Sequence, residues 1–133
     1  MAISNHERIG KALDLMRNGL MYFIEREMKA VYGDRWEYMC RESIPPDWKN
    51  VKKSDKLHLD AHLILTILWH QWNSVFKKTL GQAERTYVSE LRDTRNRWAH
   101  QEAFSYDDTY RALDTIHRLL LAVSATEAEQ VWK

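Results

Sequence analysis

Residues 5–31 read NHERIGKALDLMRNGLMYFIEREMKAV. Ile9, Ala12, Leu13, Met16, Leu20, Phe23, Ile24, Met28 and Val31 recur there at steps of three and four, the spacing of one buried helical face. Asn5 is the expected N-cap and Gly33 the stop. A helix this long and this one-sided sets the class of the fold, and the rest of the chain continues the pattern. With 4 Gly and 2 Pro in 133 residues, there are few loop punctuators, which favours helices over a turn-rich β fold.

Outward from that helix, a short one is expected over residues 36–41, broken by Pro45 and Pro46. Residues 46–53 read as the one substantial loop. The next helix is expected to start near Ser54 or Asp55 and to run to Leu80, with Gly81 as its stop. Its middle is apolar nearly all round, which marks a central, buried helix. A fourth is expected over residues 83–100, followed by a connector over residues 101–106. A fifth begins at Ser105 or Asp107, with Asp108 in its first turn, where the helix dipole favours an acid. Its buried face is expected to carry Tyr110, Leu113, Ile116, Leu119, Leu120 and Val123. Ser124-Ala125-Thr126-Glu127 matches a capping box opening a last short helix. The expectation is all-α: one domain over residues 1–133, an antiparallel helical bundle of four to six helices.

Composition sets limits on function. The apolar share, 44%, is enough for a core. The longest apolar run, residues 63–69, is interrupted by Thr66 and falls far short of the roughly 20 residues a membrane span needs. The first residues turn polar at once, with no signal-peptide apolar region. Cys40 is the sole cysteine, so no intramolecular disulfide can form and a reducing, cytoplasmic setting is expected. A net charge of +1 argues against gripping long stretches of duplex, which takes many cations over phosphates. It leaves room for a compact site on one or two phosphates.

The segment that carries chemistry is the fourth helix. At about 100° per residue, Tyr87, Leu91, Thr94 and Trp98 fall in one narrow stripe, the expected core face. Arg92, Asn96 and His100 lie on the far side at i, i+4 and i+8. Arg95 lies between that polar stripe and the core, and Asp93 and Arg97 flank it. Guanidinium groups fork onto phosphate oxygens and are always charged, and histidine exchanges a proton near neutral pH. Together they can cleave RNA without a metal: the imidazole moves a proton and the guanidinium stabilises charge building on the phosphate. Asn96 can orient the histidine or bind the phosphate. One chain supplies one such imidazole in this segment, and a two-fold dimer would bring two together. The same residues also have a plain structural reading, as a solvated face with a histidine favoured by the helix C-terminal dipole.

The stretch Glu90-Leu91-Arg92-Asp93-Thr94-Arg95-Asn96-Arg97-Trp98-Ala99-His100-Gln101 resembles the defining motif of HEPN domains, an Arg followed by a polar residue, often Asn, and then a His. Arg95, Asn96 and His100 match those three positions. The continuation from Phe104 to Ile116 is similar to a branch shared by a nuclear mRNA-surveillance endonuclease and bacterial phage-defence proteins. The resemblance implies a helical bundle, dimerisation along the motif helix, and metal-independent endoribonuclease activity with Arg95, Asn96 and His100 catalytic. Arg92 and Arg97 are then expected to meet substrate. The implied setting is a module of a stress or phage-defence system, with RNA, a second copy and a larger defence protein as partners, and no cofactor, metal or membrane. The alternative is a catalytically silent HEPN module that dimerises or binds nucleotide for a larger protein.

Other candidates compete less well. His58 and His62 at i, i+4, with Asp60 and His70 nearby, have the spacing to share a metal but lack a third organised ligand. Lys49, Lys52, Lys53 and Lys56 beside Trp48 suit either single-stranded nucleic acid or plain solvation. Trp69 and Trp72 are expected in the core, and Cys40 reads as structural.

Overall fold

The computed structural model describes residues 3–48 and 59–133. Among them every regular element is helical, with no strand. Helix α1 spans Asn5–Tyr32 and buries Ile9, Ala12, Leu13, Met16, Leu20, Phe23, Ile24 and Met28. Val31, expected on that stripe, is exposed instead. Tyr32, four residues after Met28, takes over the last turn, and its hydroxyl donates to Gln71 Oε1 at 2.7 Å. The N-cap is Ser4 rather than Asn5: Ser4 Oγ accepts from the Glu7 amide at 3.1 Å. Asn5 is drawn away by a tertiary contact, its Nδ2 donating to the Phe104 carbonyl at 3.0 Å. Gly33 ends the helix at φ 59°, a conformation a side chain would strain.

A 3₁₀ turn, Gly33–Arg35, leads into α2, Trp36–Glu42, which buries Cys40. Burial first, and the Glu37 charge second, push the Cys40 thiol up to about 12. It therefore stays a protonated, unreactive core residue at neutral pH. Helix α3 spans Ala61–His70, capped by Asp60, whose Oδ1 accepts from the Leu63 amide at 2.9 Å. It starts later than Ser54 or Asp55, which lie outside the described residues, as do Lys49, Lys52, Lys53, Lys56 and His58. It also ends ten residues short of Leu80. Gln71 is tied between Tyr32 and Ser43 Oγ (2.9 Å), and the chain turns there before a 3₁₀ segment, Phe76–Lys78. Leu63 to Leu68 are all buried, as a helix apolar all round requires.

Helix α4, Gln82–Ala99, carries the motif, and α5, Tyr106–Ala122, returns beside it. Ser105 and Asp108 form a reciprocal capping box at the start of α5. The buried face of α5 is Thr109, Ala112, Thr115, Ile116, Leu119 and Leu120, while Tyr110 is exposed. Ala112 and Thr115 of that face lie beside Glu90 and Leu91 of α4. The hydroxyls of Thr109 and Thr115 are satisfied within the helix, donating to the carbonyls four residues back at 2.8 Å. The box expected at Ser124 does not form. Ser124 has φ 58° and ends α5, Ala125 N donating to Leu120 O at 3.0 Å, so it cannot be an extended N-cap. A 3₁₀ turn, Thr126–Gln130, follows. Helix α1 packs against α3, α5 and this last turn, while α4 is wedged between α3 and α5.

Candidate functional site

The C-terminal end of α4 is anchored by the N-terminus of α1. His6 stacks on Trp98, centroids 5.1 Å apart and planes 11° apart. The pair is bonded reciprocally: Trp98 Nε1 donates to the His6 carbonyl at 3.1 Å, and His6 Nε2 donates to the Trp98 carbonyl at 3.0 Å. Gly10 is part of the fit, since a Cβ there would lie 3.1 Å from the Trp98 ring. Trp98 is therefore half-buried and fixed, and it sets the rotation of the last turn of α4.

On that fixed turn His100 is the C-cap residue, its amide donating to Asn96 O at 3.0 Å. Gln101 follows at φ 61°, and the Glu102 amide closes on Arg97 O at 3.0 Å, so the chain leaves the helix sharply. The imidazole of His100 and the carboxamide of Asn96 are exposed, and Arg95 is half-buried. Among the described residues no side-chain hydrogen bond or ion pair occupies any of the three. All three expected catalytic residues thus stand on one end of one helix, unclaimed by the fold.

The arginines divide between the two flanks of α4. Arg92 lies over the Trp69 ring of α3, its guanidinium carbon 5.1 Å from the centroid, and Arg85 does the same at 5.1 Å. Trp69 is accordingly half-buried rather than in the core, while Trp72 is buried as expected. Arg97, about 140° around the helix from Arg92 at 3.6 residues per turn, faces the connector to α5. Its guanidinium covers Phe104 at 4.5 Å, donates to the Ala103 carbonyl at 3.1 Å, and pairs with Asp108 at 3.4 Å and Glu102 at 3.9 Å. Asp108 is held below its ordinary value by the Ser105 amide and by Arg97.

His62, weighed in the sequence as a metal ligand, has a different neighbourhood. Its ring lies 4.3 Å from that of Trp48, and burial lowers its pKa, aided by the charges of Arg95 and Arg92 and opposed by Asp60. Among the described residues no group of three His, Cys, Asp or Glu is placed to hold a metal ion. Nor is any described helix long and apolar enough to cross a membrane. Sequence reasoning missed His6 and the position of His62. His62 and Trp69 are seven residues apart, hence on one face of α3, which is the signal that could have placed His62 beside the arginines.

The sequence profile of the family described as Swt1-like HEPN matches residues 11–124, which runs from within α1 past the end of α5 and takes in the whole motif. No curated protein matches the chain, and no solved structure does. The match covers most of the 133 residues, and with an all-helical bundle and the Arg95, Asn96, His100 set displayed at one helix end, the chain belongs to the HEPN superfamily.

Proposed function

We propose that the protein is a metal-independent endoribonuclease acting through Arg95, Asn96 and His100. The observation that carries this reading is the unclaimed state of those three side chains on a turn that the His6–Trp98 pair holds rigid. A rigid helix end presenting an imidazole and a guanidinium is suited to phosphate chemistry. Arg95 neutralises charge building on the phosphate oxygens and Asn96 fixes the phosphate or the imidazole. His100 moves a proton to or from the ribose oxygens. The setting we infer is a stress or phage-defence system in a cytoplasmic compartment, where the protein acts on RNA as a homodimer or beside a larger partner.

Incubation of the purified protein with mixed RNA in EDTA, beside His100→Ala, tests the reading. Cleavage by the wild type and none by the variant is the expected result. If both leave the RNA intact, the silent-module alternative stands in its place.

A further inference from the structure

We propose that His62 is the second proton carrier of this site, the base that takes the 2′-hydroxyl proton while His100 delivers a proton to the leaving 5′-oxygen. The inference rests on the ribonuclease reading above and adds a residue from a different helix.

The seam between α3 and α4 is where it stands. Among the described residues Arg85, Arg92 and Arg95 make no ion pair, whereas Arg97, Arg111 and Arg118 each have a carboxylate partner. Arg85 Nε is buried without a hydrogen-bond partner. Two of these unpaired guanidiniums flank the exposed part of Trp69, and His62 lies farther along the same face of α3, against Trp48. A line of unneutralised guanidiniums beside aromatic rings is suited to a phosphate backbone with its bases stacked alongside. Arg95, the residue nearest in role to the reacting phosphate, is near enough for its charge to lower the pKa of the His62 imidazole, after the larger effect of burial. His100 lies five residues beyond Arg95 on α4, about 7.5 Å along the axis at 1.5 Å per residue. Trp69 packs against both Arg85 and Arg92, so His62, seven residues earlier on α3, comes level with Arg95, and a phosphate held by Arg95 would have His62 on the α3 side and His100 farther along α4.

Among the described residues, the charged groups that act on His62 are Arg92 and Arg95 on α4 and Asp60 on its own turn. Asp60 is engaged as the α3 N-cap. Burial and the two cations therefore keep the imidazole neutral at pH 7, the form a base must have. The step balances without a metal or oxidant. The 2′-hydroxyl proton passes to His62, the O2′–P bond forms and the P–O5′ bond breaks. The 5′-oxygen leaves with the proton of His100. The products are a 2′,3′-cyclic phosphate and a 5′-hydroxyl. The acid–base pair is then complete in one protomer, and a two-fold dimer would duplicate it.

The test is His62→Gln, assayed for RNA cleavage across pH alongside wild type and His100→Ala, with melting curves for each. The expected result is a folded variant with a rate lower by about 100-fold or more and without the acid limb of the wild-type profile. A folded His62→Gln with wild-type rate and profile overturns the proposal. NMR of wild-type protein with an uncleavable 2′-deoxy dinucleotide covers the case of a misfolded variant: the His62 ring resonances should move, and stationary ones overturn the proposal. Wild type as inert as His100→Ala is a different failure, that of the ribonuclease reading, and His62 falls with it.

Discussion

Trp98 and His100 stand two residues apart on α4 in opposite surroundings. Trp98 is stacked on His6 and bonded to its carbonyl, while His100 is exposed. His100→Ala should therefore abolish cleavage while changing stability by no more than about 0.5 kcal/mol, the usual range for a surface site. Trp98→Ala should cost about 3 kcal/mol, the low end for a lost aromatic because the ring is only half-buried. Thermal melts paired with cleavage rates separate the two. Equal destabilisation by both would make His100 a structural residue. A second contrast sets Arg95 against Arg97. Arg95→Ala should abolish cleavage. Arg97→Ala removes exposed ion pairs and the cover over Phe104, so it should cost about 1 kcal/mol and slow cleavage much less. Equal loss of rate in the two variants would put Arg97 on the substrate. The spacing of Arg95, Asn96 and His100 was legible in the sequence because it lies within one helix. The commitments of Arg97 and the place of His62 were not, because they depend on which helix packs on which flank of α4.

The elements show the same division between local and tertiary causes. The α1 stripe could be read from Ile9 to Met28 because period and burial coincide in an isolated amphipathic helix. The face of α5 was legible only in part: Ile116, Leu119 and Leu120 are buried as read, but Tyr110 is exposed, and the small Thr109 and Ala112 are buried where the helix meets its neighbours. Ser4 displaced Asn5 as the cap, and Gln71 ended α3 early, each through a bond to a residue far along the chain. Gly19 gives a test of close packing. A Cβ there would collide with the Leu120 side chain and lie 3.1 Å from that of Ala125. Gly19→Ala should therefore destabilise by about 1–3 kcal/mol, although alanine favours an isolated helix. An unchanged or raised melting temperature would show that α1 and α5 are less tightly packed than this.

At the scale of the whole molecule, a net charge of +1 hides an uneven distribution. Among the described residues of α4 and α5, the carboxylate-paired Arg97, Arg111 and Arg118 lie on the α5 side of α4, while Arg85 and Arg92, which have no ion pair, lie on the α3 side. A short single strand held on that seam is consistent with modest overall charge, since few phosphates need neutralising. We expect sedimentation at micromolar concentration to give a dimer related by a two-fold axis near the α4 helices. A strict monomer would remove the composite arrangement and leave cleavage to groups within one chain. The central claim, metal-free transfer of the phosphate to the neighbouring 2′-oxygen, is tested most directly by the ends of the product RNA. A defined single strand should be cut in EDTA to fragments ending in a 2′,3′-cyclic phosphate, or the 3′-phosphate it hydrolyses to, and beginning with a 5′-hydroxyl. One 2′-deoxy residue should protect the bond that follows it. Fragments with 5′-phosphate and 3′-hydroxyl ends, or cleavage next to the 2′-deoxy residue, would contradict it.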